Sequence, residues 1–588
     1  MAAPLRIANC SGFFGDRLSA AREMVDDGPI DVLTGDWLAE LTMLILARTQ
    51  AKDPGVGYAR TFVTQMEQVM GTCLDRGVKV VSNAGGLNPE RCAEAVADVA
   101  AALGLSPVIA YVNGDNLMGR FQELERAGVD LAHFETGEPV GDVGRFITAN
   151  AYLGCFGIVE ALSRGADIVV TGRVTDAALV CGPAAWHHQW RRDDFDALAG
   201  GVVAGHVIEC GAQVTGGNYS FFREVSGMAR VGFPWVEVAE DGSSVVGKHD
   251  GTGGEVSVGT VTSQLLYEIG GPSYLGPDVS ARFDTIRLEQ IARDRVRISG
   301  TRGEAPPATL KVAMNEVGGF RKDLNVALTG LDIEEKARLV EEAFWLACPF
   351  APSDFASVTT RLVRTDKSDP VTNEEAVATW RLTLKDGDER KVGRAVADAV
   401  VELALSSIPG FFIPGASPSK GSAFGVYRPA VVPSDLVPQY VTILGGERTI
   451  IDSVAPTFGR AVVVESDTHA VAATGPTTMA PLGTLFGTRS GDKGGHANLG
   501  IFARSDEAWA WLDGFLTTEE IRRLLPETAP LIIDRYRLPT LRSLNFVVHD
   551  LLEEGVAAST RQDAQAKGLG EWLRSRYVAI PASLLPSP

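Results

Sequence analysis

Residues 78–103, VKVVSNAGGLNPERCAEAVADVAAAL, put a β-branched run, a glycine-containing loop and a helical pattern in immediate succession. Val78–Ser82 has the composition of a buried strand, and Pro89 suits the first turn of a helix running to Leu103. The same unit recurs on both sides. Further β-rich runs are Arg6–Cys10, Asp31–Thr34, Val108–Asn113 and Ile168–Val170, and helical patterns span Trp37–Gln50, Arg60–Arg76 and Ala151–Arg164. Strands alternating with helices of this length predict an α/β domain over 1–280, its large sheet mostly parallel and covered on both faces. Ligands of such sheets sit beyond the carboxyl ends of the strands. Ser11, Asp16, Asn83, Asn88, Asn113, Asp115 and Thr171–Asp176 all follow predicted strands, so a site is expected on that edge. Neither G-x-G-x-x-G nor G-x-x-x-x-G-K-[ST] occurs, which excludes an ordinary dinucleotide site and a P-loop.

Beyond residue 280 the pattern shortens. Arg287–Gly300, Thr309–Asn325, Ser357–Arg364 and Ala376–Leu384 read as strands, with helices at Ile333–Ala347 and Lys391–Ser406. They predict a smaller α+β unit over 281–474, on the plan of a split β-α-β. Ser406–Gly421 is rich in Pro, Gly and Ser and reads as a linker or a lid. A β-rich portion, Tyr440–Val464, leads to a boundary at Thr474–Leu482. The tail 482–588 reads as a separate small α+β domain: strands at Gly483–Gly487, Asn498–Phe502, Ile532–Arg537 and Leu544–Val548, and helices at Asp506–Phe515, Glu519–Leu525 and Asp563–Ser575.

The totals narrow the function. A net charge of −20 and a pI near 5.0 argue against general binding of nucleic acid or anionic membrane. An anionic ligand would need a local basic patch, for which Arg17, Arg173, Lys248, Arg489 and Lys493 are placed in or beside glycine-containing loops. Seven cysteines without a close pair predict reduced thiols rather than disulfides or a zinc knuckle. The N-terminus lacks the pattern of a signal peptide, and no apolar run approaches about 18 residues, so no membrane insertion and a cytoplasmic location are expected. A chain of this size is also expected to form a symmetric homo-oligomer.

The chemistry concentrates in 201–272. GVVAGHVIECGAQVTGG carries His206, Glu209 and Cys210 ahead of Gly211, Gly216 and Gly217; KHDGTGGEVSVGTVTSQLLYEIGGP carries Gly251, Gly253 and Gly254 ahead of a helical run, Val261–Ile269. If the first segment is helical, His206 and Glu209 project to one side. Such a pair beside backbone amides suits proton abstraction next to a carbonyl, with Gly216, Gly217, Gly253 and Gly254 as oxyanion donors. It reads equally as a buried histidine with its hydrogen bond satisfied, and the glycines as turns. Asp16 and Asp176 are further acid–base candidates. Asp16 with Arg17, and Arg173 with Asp176, line a pocket or simply pair internally. Asn83, Asn88, Asn150 and Thr171 could orient a carbonyl or hydroxyl, as could Gln213. Cys210 is a candidate thiol nucleophile, and a magnesium site built from Asp16, Asp176 or Glu209 fits the composition. SGDKGG, centred on Lys493, reads as a phosphate cradle or as a docking hairpin.

GHVIECGAQVTGGN, GTGG and TVTSQLLYEIGGPSYLGPDV resemble the acyclic terpene utilisation (AtuA) family. So do Gly15–Arg17 (GDR), Ser82–Pro89 (SNAGGLNP), Ala149–Gly154 (ANAYLG) and Thr171–Leu179 (TGRVTDAAL). TRSGDKGGHANLGIFA, Thr488–Ala503, resembles the C-terminal domain often fused to that family, which makes the tail an expected ferredoxin-like domain. The resemblance implies breakdown of branched, isoprenoid-like acids as acyl-CoA thioesters: a hydratase, isomerase or lyase working through an enolate, with no redox cofactor. Two other readings are a non-catalytic partner of an acyl-CoA carboxylase and a thiol hydrolase using Cys210.

Overall fold

The computed structural model describes residues 3–38, 40–415, 420–451 and 475–586. Part of the predicted loop Ser406–Gly421, the β-rich reading beyond Ile451, and Thr474 at the predicted boundary lie outside the described residues. The chain forms two compact units. One contains Met1–Asn315, Tyr427–Val556 and Asp563–Pro588; the other contains Glu316–Val426 and Ala557–Gln562. These limits differ from 1–280, 281–474 and 482–588.

In the first unit, strands β1 (Leu5–Asn9), β2 (Val32–Gly35), β3 (Lys79–Ser82), β4 (Ile109–Asn113), β5 (Phe146–Ala151) and β6 (Ile168–Thr171) alternate with helices. Among the helices, Arg60–Arg76 and Pro89–Ala102 follow the sequence pattern closely. The latter opens with Asn88 as N-cap and Pro89 in its first turn, the placement that Pro's fixed φ and missing N–H favour. Residues 149–151 belong to β5, and the following helix is only Phe156–Ser163.

β1, β2, β3, β6 and β4 pair in that order, all parallel. The expectation of a mostly parallel sheet needs correcting, because this core is extended at both edges by antiparallel strands. β7 (Pro234–Val238) and β8 (Ser244–Lys248) are joined by the tight turn Ala239–Ser243, and so short a connection allows only antiparallel pairing. β7 pairs with β1, while Arg295–Ser299 and Arg287–Ala292 continue outward from β8. At the far edge Gln439–Ile443 pairs with β4 and Arg448–Ile451 with Gln439–Ile443. Of the eleven strands in this sheet, most neighbours are therefore antiparallel. The core strands are apolar on both sides: Ile7, Val32 and Val169 on one face and Ala8, Leu33 and Val170 on the other are fully enclosed, as sandwiching between helical layers requires.

The tail 482–588 builds a four-stranded antiparallel sheet, in the order Phe486–Lys493, His496–Ala503, Ser543–Val548, Ile533–Leu538. It has its own apolar core around Phe486, Leu499, Leu512, Ile521, Phe546 and Leu573. SGDKGG is the end of the hairpin between the first two strands: Lys493 pairs with His496 across Gly494–Gly495. The second unit packs helices Ile333–Ala347 and Arg394–Glu402 on a sheet of Ser357–Val363, Val377–Asp386 and the later part of Thr309–Thr329, around Phe344 and Trp380.

Candidate active site

Because the five core strands are parallel, Asn9, Asp36, Asn83, Asp115 and Arg173 gather at one edge of the sheet. They form a connected network. Asn83 Nδ2 donates to Asp36 Oδ1 at 2.6 Å, and its Oδ1 accepts the Trp37 N–H at 2.8 Å. Asp115 accepts from Asn150 Nδ2 at 2.7 Å and from the Arg173 N–H at 3.0 Å. Arg173 Nη1 donates to the Leu38 carbonyl at 2.7 Å and to Asp176 Oδ1 at 2.8 Å, while its guanidinium lies 4.1 Å over the Tyr152 ring. Burial pushes the Asp115 carboxyl up to about 6, and burial with the nearby Asp176 charge holds Asp36 well above the usual carboxylate range.

Helix Phe195–Ile208 delivers the second half of the site. Gly205 lets it lie directly on Ala177, where an added Cβ would come within 2.6 Å of the Ala177 Cα. The last turn thereby places His206 and Glu209 beside the Arg173–Asp176 loop, and Asn9 Nδ2 reaches the Glu209 carbonyl at 3.4 Å. His206 Nδ1 is 3.1 Å from Glu209 Oε1, but the approach is not aligned as a hydrogen bond; both ring nitrogens and Glu209 Oε2 are left without a partner. The imidazole packs against the rings of Tyr274 and Phe283 at 5.3 and 5.4 Å. Burial drives His206 down to about 4, and burial, reinforced by Asp176 and Glu268, holds Glu209 well above its ordinary value. Burial thus disfavours the charged form of both partners. Gln264 donates to the His206 carbonyl at 3.3 Å and leaves its own buried Oε1 unpartnered.

The Glu209 side chain is 6% accessible, against 27% for Asp176 and 39% for Glu268. The tail reaches Gln213 and Tyr267: Arg489 donates to Gln213 Oε1 and sits 4.2 Å over the Tyr267 ring, and Lys567 hydrogen-bonds Tyr267 Oη. The Lys493 stem lies against Gly270. The arrangement offers a shielded carboxyl and imidazole side by side, with cations of the tail on the neighbouring Tyr267 and Gln213. Such a site can move protons at a carbon or oxygen kept away from water.

Several sequence candidates are placed elsewhere or otherwise occupied. Gly216 N, Gly217 N and Gly254 N donate to Gln213 O, Ala212 O and Ser226 O at 3.1, 2.9 and 2.8 Å, so these amides hold the loops together and are not oxyanion donors. Gly253 faces backbone too, with the Arg230 and Gly227 carbonyls within 2.4 Å of where a Cβ would stand. Asp16 accepts the Gly12 and Arg17 N–H groups at 3.0 and 2.9 Å, and Arg17 pairs with Glu23 at 2.7 Å instead of with Asp16. Asn88 caps its helix, and Thr171 Oγ1 donates to the Gly172 carbonyl. Lys248 donates to the Thr252 carbonyl and lies 3.4 Å from Asp294. Burial pushes the Cys210 thiol well above its ordinary value, which disfavours its thiolate. All seven cysteines are free, and among the described residues no three His, Cys, Asp or Glu side chains are grouped to hold a metal ion. Asp36, Gln264, Tyr267, Glu268 and Tyr274 were not singled out from sequence; for Asp36 the signal was there, since TGDW places it after β2 as Asn83 follows β3.

Fold and site together define an α/β protein with a buried cluster of carboxylates, Arg173 and His206 at the carboxyl edge of a parallel core, and a second small sheet in the tail. The chain belongs to the acyclic terpene utilisation family AtuA, whose model matches residues 5–443, and the AtuA ferredoxin-like domain matches residues 480–579. No curated protein matches it. Among the described residues no helix is long and apolar enough to cross a membrane.

Proposed function

We propose that this protein is an enzyme of branched or isoprenoid-like acid catabolism that acts on an acyl-CoA thioester by enolate-type proton transfer, as a hydratase, isomerase or lyase. The observation that carries the reading is the buried His206–Glu209 pair, whose ring nitrogens and Oε2 lack partners although fully shielded. Unsatisfied buried polar atoms are costly, on the order of 1–3 kcal/mol each, and their retention fits groups that meet a substrate. Glu209 gives its proton to the reacting oxygen or carbon and takes it back in the reverse direction, with the His206 imidazole 3.1 Å away as its neighbour. Arg489 and Lys493 supply positive charge for an anionic substrate despite the net charge of −20.

The test is incubation of the purified protein with branched 2-enoyl- and 3-hydroxyacyl-CoA thioesters. Turnover is expected with at least one class; none, together with stoichiometric capture of an acyl-CoA carboxylase, would favour the partner reading. In thermal-shift measurements an acyl-CoA at 100 times its dissociation constant should stabilise the fold by about 2.7 kcal/mol. A specific shift with NAD(P) or ATP and none with CoA esters would count against the proposal.

A further inference from the structure

Helix Val258–Leu265 opens on a capping box between Ser257 and Thr260, and its residues from Thr260 to Leu265 are all buried. Polar side chains on such a turn need partners. Gln264, 2% exposed, has one for half of its amide: Nε2 donates to the His206 carbonyl at 3.3 Å. A carbonyl only accepts, so this bond fixes which end of the amide is nitrogen and leaves Oε1 as the free end. That Oε1 is buried and meets no donor. The same amide is the hydrogen-bonding neighbour of the Cys210 thiol. Its two contacts, His206 and Cys210, bracket Glu209 on the turn that ends helix Phe195–Ile208.

Four buried atoms around this turn therefore lack partners: both ring nitrogens of His206, Glu209 Oε2 and Gln264 Oε1. A neutral imidazole offers one donor and one acceptor, and a protonated carboxyl donates. Gln264 Oε1 only accepts. The carbonyl and sulfur of a thioester also only accept, so they satisfy the imidazole N–H or the carboxyl and leave Gln264 Oε1 stranded. A 2-enoyl chain does no better, because its double bond carries no donor. A hydroxyl on carbon 3 is the donor that an acyl thioester can carry beside its reacting carbons.

Resting on the acyl-CoA reading, we propose that Gln264 is a specificity-determining residue whose Oε1 accepts a hydrogen bond from a 3-hydroxyl, so that branched 3-hydroxyacyl thioesters are the preferred ligand class. The assignment narrows the reaction. Addition or loss of water across carbons 2 and 3 involves this hydroxyl, as does cleavage of a 3-hydroxyacyl carbon–carbon bond; migration of a double bond does not. An analogue without the hydroxyl leaves the buried acceptor unpaired, and sites built to pair a hydroxyl reject such analogues strongly. Gln264 itself moves no proton.

The experiment compares two thioesters of one carbon skeleton, 3-hydroxy-3-methylbutanoyl-CoA and 3-methylbutanoyl-CoA, by thermal shift across a concentration series. They are bound to wild type and to Gln264→Met, which keeps the side-chain length and removes the acceptor. Wild type should bind the hydroxylated ester roughly 10- to 100-fold tighter, and the Met variant should bind both alike. Equal binding by wild type, or a preference that survives in Gln264→Met, overturns the proposal. A merely structural Gln264 would weaken both esters together and keep their ratio. Gln264→Leu is read if the Met variant does not fold, and if neither folds the wild-type ratio alone decides. The free acids, 3-hydroxy-3-methylbutanoate and 3-methylbutanoate, run in parallel and separate the two claims. A preference between the acids that Gln264→Met abolishes, with no binding of either ester, counts against the acyl-CoA reading and supports the hydroxyl contact. No binding of any of the four overturns the contact as well.

Discussion

At the residue scale, the site's character comes from groups kept uncharged by burial. His206 titrates at about 4 in the folded chain, against 6.5 for an ordinary histidine. A base whose folded value is depressed binds its proton more readily when unfolded, so folding loses free energy as pH falls from about 6.5 to about 4. The difference is worth about 3 kcal/mol. Relative to wild type, His206→Gln should therefore gain stability over that window; urea melts at pH 7 and pH 4.5 check it, and a constant difference would mean that His206 is not held neutral. Asp115 works in the opposite sense, its folded value raised to about 6, so its contribution is lost as pH rises from about 4. The comparison must therefore be made between variants, not on wild type alone. The His206–Glu209 pair was legible from spacing, since i and i+3 on a helix share a side. Glu268 was not: it lies past the helix end in a left-handed conformation, where apolar periodicity carries no information.

Elements show where glycine misleads. The clusters at 216–217 and 253–254 read equally as amides facing a ligand or as backbones facing each other, because both need the missing Cβ. The structure has the second arrangement: Gly254 has φ 89°, its Cβ would stand 2.3 Å from the Thr215 carbonyl, and Glu255 N donates to that carbonyl at 2.8 Å. Gly254→Ala should accordingly destabilise by about 2 kcal/mol or more through strain and lost loop pairing, read as a drop in melting temperature. A neutral substitution would show that the loops are not locked together. Asn545→Ala should cost about 1–3 kcal/mol by stranding the Ile269 and Gly270 carbonyls. The parallel core was legible because each strand is followed by a helix, whereas β7 and β8 are not among the strands predicted from the sequence. Their signal, an alternating PWVEV, Asp241-Gly242 and SVVGK, is that of a hairpin, and it turns the sheet's edge antiparallel.

For the whole molecule, two cores bear on how the parts cooperate. The tail has its own apolar cluster, yet its Asn498 and Asn545 are satisfied by residues 268–270. A fragment from Pro481 should fold, giving a dispersed amide spectrum, but with lower stability than within the full chain. A collapsed spectrum would show that the tail depends on the 201–272 block for its fold. Limited proteolysis should cut first within 406–421 or near 474–482, leaving 201–272 intact, because the helix Phe195–Ile208 and the strands β7 and β8 that anchor that block are largely buried. Early cuts inside 201–272 would contradict this placement. The central claim, that Glu209 moves a proton from its buried place beside His206, is tested most directly by turnover of branched acyl-CoA thioesters and melting temperature measured together on wild type and Glu209→Gln. The account predicts a fall of about 10²- to 10⁴-fold in turnover with the melting temperature retained. Turnover within a few-fold of wild type in a folded Gln variant would contradict it.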